Sequence, residues 1–444
     1  MSFPRYPIYK DSGVEWLGQV PEHWEVLPCR AIVHERTAKN EGAACTDYLS
    51  LMANVGIIPY AEKGDVGNKK PEDVSKCKIV TRGDFVINSM NYGIGSYGLS
   101  DYDGVCSPVY IVLKPQNDIV ESRFAFRIFE NRTFQTFAQS FGNGILEHRC
   151  AINWDILKPI GVGVPPMDEQ KAILAFLDRE TGKIDALVAE QRRLMELLKE
   201  KRQAVISHAV TRGLNPAAPL KPSGIEWLGD VPAHWEVKKV KHLTRSIEQG
   251  WSPQCEGYPA ETESEWGVLK VGCVNGGTFT PSENKVLPPE LEPIPSLGIV
   301  SGDLLISRAN TRELVGSAAV VGRDYPNLLL CDKLYRLRFI PDRCSPVFAC
   351  RYLGSSAVRG QIELGATGAS ASMVNIPQSA ILELAIAAPP FAEQHTITTF
   401  LDAELAKLDT LTAEAQRAID LLQERRIALI SAAVTGQIDV RGGD

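Results

Sequence analysis

The stretch GVEWLGQVPEHWEV at residues 13–26 returns as GIEWLGDVPAHWEV at residues 224–237, and eleven of the fourteen positions are identical. A second pair, PPMDEQKAILAFLD at 165–178 and PPFAEQHTITTFLD at 389–402, shares eight of fourteen positions. Two repeated pairs in the same order indicate an internal duplication, which decides the architecture before any local feature does.

Two long segments between the repeats are not repeated. Residues 27–164 and 238–388 occupy equivalent places, yet they align only in fragments such as GDFVI at 83–87 with GDLLI at 302–306. The 444 residues also exceed one ordinary core, since a domain has about 150 residues. We predict a variable domain at 1–166, a helix at 167–214, a second variable domain at 215–390 and a second helix at 391–444.

Each second-pair repeat leads into a long predicted helix, because apolar residues recur at helical spacing and a heptad can be written through both segments. We predict antiparallel pairing of the two helices, since neither is amphipathic enough to be stable alone in water. Packing of each helix on its own domain is the alternative. One predicted core position holds Leu177, Ile184, Gln191, Leu198 and Val205 and the other Glu180, Leu187, Leu194, Lys201 and His208, with Leu401, Leu408, Leu411, Leu422 and Leu429 in the second copy.

Both variable segments have the pattern of mixed α and β structure. In the first we predict strands at 84–90, 108–113 and 160–164 and a helix at 122–139. In the second we predict strands at 267–274, 303–307, 317–321, 334–340 and 382–387 and a helix at 346–362. The predicted fold class is α+β: two mixed α/β domains separated by two long antiparallel coiled-coil helices, with pseudo-two-fold internal duplication.

Composition narrows the class of protein. A net charge of −7 argues against a protein that coats nucleic acid indiscriminately, although basic residues gathered on one face would keep a DNA role open. The ten cysteines form no Cys-x-x-Cys pair and have no zinc spacing with histidine, so we expect reduced thiols and no metal. No run approaches the roughly 20 apolar residues that span a bilayer, so we expect a cytoplasmic protein without a membrane partner.

A glycine-rich loop in the first variable segment carries polar candidates. GIGSYG at 93–98 matches a dinucleotide fingerprint, but turn and strand residues follow it, so no helix N-terminus can hold a pyrophosphate. Amide and hydroxyl groups at Asn88, Asn91, Tyr92 and Ser96 are instead candidates for contacts with base edges. A plain turn between strands is the alternative.

Other candidates for DNA contacts are polar or basic. Arg308 and Arg312 can pair with guanine, and Asn310 between them can pair with adenine. Basic runs suggest phosphate contacts, with a solvated face as the alternative; they include Lys69, Lys70 and Lys238. Polar residues stand at equivalent places before each closing strand, at His148, Arg149, Thr367, Ser370 and Ser372.

The repeated aromatic residues are predicted to pack rather than to stack on bases, because parts that read different targets should differ. They are Trp16, Trp24, Trp227 and Trp235, accompanied by His23 and His234. Catalytic motifs are missing: the chain has no Asn/Asp-Pro-Pro-aromatic loop of an amino-methyltransferase and no phosphate loop of an ATP motor. We therefore predict a non-catalytic chain.

The layout resembles the specificity subunit of type I restriction-modification systems. The resemblance is carried by the doubled EWLGxVPxHWEV, the doubled PPxxEQ leading into FLD, and the paired long helices, and it covers nearly the whole chain. Within the variable segments, GDFVINSM at 83–90 with GVCSPVY at 104–110, and GDLLISR at 302–308 followed by LVG at 314–316, look like that family's target-recognition domains.

The resemblance implies a DNA-recognition subunit that reads a bipartite, asymmetric site in double-stranded DNA, one half per variable domain. It implies two methyltransferase subunits docked on the helices and, where a nuclease is part of the system, two restriction subunits that translocate DNA. No cofactor is expected on this chain; S-adenosylmethionine belongs to the methyltransferase partner and ATP with Mg²⁺ to the nuclease-translocase partner. Alternatives are the recognition subunit of another restriction class, a coiled-coil scaffold with two protein-binding domains, and a stand-alone nuclease or methyltransferase.

Overall fold

A computed structural model of the chain describes residues 3–67, 69–142, 151–262, 264–370 and 373–442. The chain divides into two compact units: unit 1 comprises Met1–Arg192 with Gln416–Asp444, and unit 2 comprises Arg193–Ala415. Both divisions fall inside long helices, which run over Met167–Arg212 and Phe391–Val434. Each unit therefore contains one variable segment and part of each long helix.

Each unit contains a four-stranded antiparallel sheet, and the two sheets have the same strand order. In unit 1 the order is Val33–Glu35, Tyr110–Pro115, Phe85–Asn88, Tyr97–Leu99. In unit 2 it is Thr244–Gln249, Leu334–Phe339, Leu304–Ser307, Ala318–Val320. Segments that align only in fragments thus have a common core, and the predicted mixture of helices and sheets is confirmed.

The remaining elements complete the two units. Unit 1 also has strands Tyr9–Asp11, Gln19–Pro21, Glu25–Pro28, Leu49–Met52, Gly56–Pro59, Lys78–Val80, Gly104–Cys106 and Gly161–Val164 and helices Cys29–Ile32, Ser122–Glu130, Arg132–Ser140 and Trp154–Leu157. Unit 2 also has strands Leu220–Pro222, Asp230–Pro232, Glu236–Lys239, Gly267–Leu269, Asn284–Val286, Gly298–Ile299, Ala309–Asn310, Tyr325–Leu329, Thr367–Ser370, Met373–Asn375 and Ala385–Ala388 and helices Pro346–Leu353, Ser356–Gly365 and Gln378–Glu383.

Both helices predicted within the variable segments are interrupted. In unit 1 the break falls at Asn131, whose backbone is extended (φ −61°, ψ 123°) and whose side chain caps the following helix by accepting from Thr133 N and Phe134 N. In unit 2 the break falls at Gly354 and Ser355. The apolar periodicity continues across such caps, which explains why the sequence predicts one helix in each place.

A buried glutamate joins each repeated Trp motif to the start of a long helix. Glu169 is 5% exposed and accepts hydrogen bonds from Tyr6 Oη (2.5 Å), Trp24 Nε1 (2.8 Å) and His23 Nε2 (2.7 Å). Burial, followed by the hydrogen bond to Glu169, raises the pKa of Tyr6. The carboxylate lies in the first helical turn, where negative charge is favourable.

The corresponding joint in unit 2 has fewer donors. Glu393 accepts from Trp235 Nε1 at 3.1 Å and from His234 Nε2 at 2.8 Å, and its side chain is 30% exposed. Trp24 and Trp235 are both 0% exposed, so the prediction that the repeated tryptophans pack is confirmed for this pair. The repeated His-Trp and Glu are thus two sides of one joint.

The glutamine that follows each glutamate forms a second set of hydrogen bonds between the long helix and its unit. Gln170 accepts from Glu121 N at 2.8 Å and donates to Ile119 O and Pro165 O. Gln394 repeats the pattern in unit 2, where it accepts from Ser345 N at 2.8 Å. Both side chains are 0% exposed, so each ties the loop before a variable-segment helix to the long helix.

Only one of the two predicted heptad positions is buried in the long helices. Leu177, Ile184 and Leu198 are at most 7% exposed, whereas Leu187 and Leu194 are 46% and 41% exposed. The second core position instead lies one residue later. It holds Thr181, Val188, Met195, Arg202 and Ala209 in the first helix and Leu405, Thr412, Ile419, Arg426 and Ala433 in the second.

The helices run antiparallel in both units, as predicted. In unit 1, Arg426 Nε donates to Asp185 Oδ1 at 3.1 Å; in unit 2, Arg202 donates to Asp409 Oδ1. In each pair the arginine occupies the second core position as reassigned above, and the aspartate lies at a flanking position of the other helix. The core leucines Leu401 and Leu408 are 0% and 6% exposed, whereas the predicted core residue Leu411 is 46% exposed and lies outside the seam.

Candidate nucleic-acid interface

In each unit a candidate segment for reading DNA begins at the end of the central strand: residues 88–96 in unit 1 and 308–312 in unit 2. A turn with a buried aspartate, repeated in the two units, holds the start of that strand. Asp84 is 2% exposed and binds Arg36 Nε at 2.7 Å, while Asp303 is 1% exposed and binds Arg338 Nε at 2.6 Å. Each carboxylate also accepts the backbone NH three residues earlier, at Thr81 and Val300. The Gly-Asp fragment shared by the two segments therefore fixes the turn before the central strand.

In unit 1 the structure places three of the four polar candidates of the glycine-rich loop inside the fold. Tyr92 is 0% exposed and donates its hydroxyl hydrogen to Phe129 O at 2.5 Å, and burial raises its pKa well above the usual value. Asn88 and Ser96 are 8% and 3% exposed. Side chains packed in this way cannot meet a base edge, so only the partly exposed Asn91 remains a candidate there.

In both units an isoleucine that precedes the closing strand is hydrogen-bonded to the end of the central strand. Ile152 N donates to Ser89 O at 3.0 Å in unit 1, and Ile376 N donates to Arg308 O at 2.9 Å in unit 2. Ile152 and Ile376 therefore lie beside the end of the central strand in their units. His148, Arg149 and Ser372 lie outside the described residues.

In unit 2 two of the predicted segments meet in one small sheet. Ala309–Asn310 pairs with Met373–Asn375, which pairs in turn with Thr367–Ser370. Thr367 is exposed. The sequence proposed the two segments independently, and the structure brings them together.

Asn310 is fastened to a loop that the sequence did not single out. Its Nδ2 donates to Asn275 Oδ1 at 3.3 Å, and its Oδ1 accepts from Thr311 N at 2.9 Å. The sequence signal for this loop is the turn sequence Asn-Gly-Gly at 275–277, directly after the strand predicted at 267–274.

The two arginines of the segment differ in surroundings. Arg308 is partly buried and donates from Nη1 to Asp332 O at 3.2 Å. It lies beside Tyr335. Burial raises the pKa of Tyr335, and the positive charge of Arg308 acts in the opposite direction. Arg312 is exposed, and its carbonyl accepts from Arg359 Nη2 at 2.8 Å. Arg312 can therefore reach a ligand without rearrangement, whereas Arg308 is oriented by its neighbours.

The lysine candidates are exposed or partly paired. Lys69 and Lys70 are exposed, and Lys70 Nζ donates to Thr46 O at 3.1 Å. Lys238 is paired with Glu236. Its neighbours Lys239 and Lys241 both bind Glu383, and these bonds lower the pKa of Glu383 to about 2. Glu236 and Glu383 thus offset much of the positive charge of Lys238, Lys239 and Lys241.

Two observations concern other kinds of site. Within the described ranges, no group of His, Cys, Asp and Glu is arranged to hold a metal ion. Nor does any helix in those ranges combine the length and apolar character required to cross a bilayer.

Comparison with known proteins finds similarity to the specificity subunits of type I restriction-modification systems. The model of the type I restriction modification DNA specificity domain matches residues 39–194. The Escherichia coli EcoEI specificity subunit is 29% identical over 54% of this chain and 40% of its own length; the MjaVIII specificity subunit of Methanocaldococcus jannaschii is 22% identical over 98% of both. The chain is thus similar to type I specificity subunits. The resemblance seen in the sequence is thereby confirmed.

A solved structure agrees on the fold of the specificity subunit. A chain from a study of complex assembly and conformational transition in the type I restriction-modification system superimposes with a TM-score of 0.67 at 17% identity, covering 94% of this chain and 98% of that one. At this identity the likeness shows the fold alone. The EcoEI relative, of which the match spans 40%, leaves the activity and partners of this chain to be proposed.

Proposed function

We propose that this chain is the non-catalytic, sequence-reading subunit of a type I restriction-modification complex. Each unit reads one half of a bipartite, asymmetric site in double-stranded DNA. The observation that carries the proposal is the contrast between a shared frame and unlike surfaces. Both units have the same sheet order and the same Glu–Trp joint, whereas the segments beside the central strand differ in sequence and in contacts.

Docking of two methyltransferase subunits on the long helices is the second part of the proposal. Four exposed leucines are repeated 224 residues apart: Leu187 and Leu411 are both 46% exposed, and Leu197 and Leu421 are 51% and 58% exposed. Unit 1 has Leu187 and Leu421, and unit 2 has Leu197 and Leu411. Large apolar side chains left in solvent at equivalent positions are typical of surfaces that a partner covers.

The face around Leu197 is repeated more strictly than the buried seam. At seven-residue spacing it has the exposed residues Lys183, Glu190, Leu197 and Ala204, and the residues 224 positions later are identical and also exposed: Lys407, Glu414, Leu421 and Ala428. The buried position differs, with Thr181, Val188 and Met195 against Leu405, Thr412 and Ile419. Packing between the helices does not require this repetition, whereas two copies of one partner do.

We propose that the chemistry belongs to the partners. Methyltransferase subunits would contribute S-adenosylmethionine, and nuclease-translocase subunits, where they occur, would contribute ATP and Mg²⁺. With a net charge of −7 the chain would bind DNA weakly alone and more tightly once a methyltransferase holds the duplex. Equal affinity with and without that partner would contradict this.

Selection from random duplexes tests the proposal. The chain is combined with the methyltransferase encoded beside it, and methylated duplexes are recovered and sequenced. Enrichment of two unlike half-sites separated by unspecified bases supports the proposal. A coiled-coil scaffold would enrich no sequence, and a stand-alone enzyme would modify DNA without the partner. A contiguous enriched site would favour the recognition subunit of another restriction class.

A further inference from the structure

A loop of unit 2 that the sequence did not single out is built on a rigid base. It leaves the short helical turn Val271–Gly277, in which Cys273 and Val274 are both 0% exposed. Thr280 N donates to Cys273 O at 2.9 Å and closes the loop behind its tip. Residues 275–278, which read Asn-Gly-Gly-Thr, form the tip, where Asn275 is half-buried and the other three residues are exposed.

The tip is clamped to the candidate reading segment. Asn310 Nδ2 donates to Asn275 Oδ1 at 3.3 Å, and Asn310 itself is held in the small sheet through its pairing with Val374. The carboxamide of Asn275 is therefore oriented beside Asn310, with its oxygen facing Asn310 Nδ2 and its NH2 group on the other side of the amide. A side chain held in this way loses little entropy when it meets a ligand.

The two glycines leave the tip open to a close approach. Gly276 and Gly277 have φ values of 76° and 79°, and no atom lies within 4 Å of the place where a Cβ would stand on either. Other residues would be strained by these φ values. The chain therefore bends sharply beside Asn275 without placing a side chain over it.

We infer that Asn275 is a base-reading residue of unit 2, which presents its amide NH2 to an acceptor on a base edge while Asn310 holds the carbonyl oxygen. This rests on the proposed function and adds to it one specificity-determining residue. Because Asn275 Oδ1 faces Asn310, the contact is made by the NH2 group, to an acceptor such as N7 or O6 of guanine, N7 of adenine or O4 of thymine. Thr278 and Arg312, which follow Asn275 and Asn310 closely in the sequence, are both exposed.

Two substitutions separate reading from support. Asn275→Asp keeps an oxygen that accepts from Asn310 but has no amide donor, whereas Asn275→Ala removes both. Each variant chain is assembled with its methyltransferase and assayed on random duplexes. Since a base contact contributes about 1–3 kcal/mol of discrimination, both variants are expected to reduce the preference by about tenfold at one or two positions of a single half-site. Asn117→Ala, at an exposed asparagine of unit 1, is the matched control and should leave both half-sites unchanged.

The possible failures are distinguishable. If Asn275→Asp keeps the wild-type preference, Asn275 only supports Asn310, and the inference is overturned. Uniform weakening at every position, reversed by lower salt, would assign a phosphate contact instead and would also overturn it. If the wild-type complex enriches no sequence at all, the proposed function itself fails before Asn275 is tested.

Discussion

Glu169 and Glu393 show how the same residue can matter to different degrees in two copies of one joint. Glu169 receives three donors at 5% exposure and lies near Arg441, 3.9 Å away, whereas Glu393 receives two donors at 30% exposure. Tyr6 in unit 1 corresponds to Ala217 in unit 2, which accounts for the missing third donor. A buried polar group deprived of its partner costs about 1–3 kcal/mol.

We predict that Glu169→Ala destabilises the chain by about 3 kcal/mol or more and Glu393→Ala by about 1–2 kcal/mol, since the first leaves more buried donors unpaired. Urea unfolding of the two variants and the wild type, followed by tryptophan fluorescence, measures the difference. Equal losses would show that the number of donors does not decide the strength of the joint.

Arg308 and Arg312 belong to unit 2, so their substitution should affect one half-site. We predict that Arg312→Ala relaxes base preference in that half-site alone, by about 1–3 kcal/mol, and that Arg308→Ala has the same direction of effect. Methylation of random duplexes by the assembled complex provides the measurement. A uniform decrease, with a shallower dependence on salt, would mean that these arginines bind phosphates.

The long helices illustrate what an element's sequence determines. Their existence, their antiparallel pairing and one seam position follow from apolar spacing. The other position is wrong by one residue, because Leu187 and Leu194 are more apolar than their neighbours Val188 and Met195, and both choices fit a heptad. Arginine at a seam position, as at Arg202, is not predictable from hydrophobicity.

Matched substitutions at neighbouring positions test the reassigned seam. Val188→Ala should destabilise unit 1 by about 1–2 kcal/mol, because Val188 is 9% exposed, whereas Leu187→Ala should change stability by less than about 0.5 kcal/mol. Thermal or urea unfolding compares the two. A larger effect at Leu187 would restore the original heptad.

The exposed leucines should matter for assembly rather than for folding. We predict that Leu187→Gln with Leu421→Gln removes one of two methyltransferase subunits, and that Leu197→Gln with Leu411→Gln removes the other, without loss of helical content. Native mass spectrometry gives the stoichiometry, and circular dichroism gives the helix content. Glu200→Gln with Glu424→Gln, at exposed polar positions of the same helices, is the control. An unchanged stoichiometry in both leucine variants would show that the methyltransferase subunits dock on another surface.

At the scale of the whole molecule, the duplication was predictable but the common core of the variable segments was not. Identical strand orders arise from segments that share little beyond Gly-Asp, because a sheet needs alternating apolar residues and not particular ones. The burial of Asn88 and Tyr92 was equally hidden, since a polar residue at the end of a strand or in a loop gives no sign of whether other parts of the fold cover it. The predicted domain boundaries at 166, 214 and 390 remain predictions.

The alkylation rate of a buried cysteine can report the unfolding of each unit separately. Burial raises the pKa of Cys106 in unit 1 to about 12 and that of Cys350 in unit 2 to about 11, and only the thiolate reacts quickly. We predict that both resist alkylation at pH 8, and that Glu169→Ala accelerates labelling of Cys106 more than that of Cys350. Mass spectrometry of alkylated peptides measures both rates. Equal acceleration would mean that the two units unfold together.

The two arginine–aspartate pairs of the helices have a consequence for motion along the helix axis. Arg426 pairs with Asp185, and Arg202 pairs with Asp409. In an antiparallel pair of helices, the numbers of facing residues have a constant sum when the register is the same. The two pairs have equal sums, so both fit one register. Sliding either helix by a heptad would place Asp178 or Arg192 at the former position of Asp185. The second of these shifts would bring Arg192 against Arg426, whereas the first would keep an aspartate there, so these charges oppose sliding in one direction only.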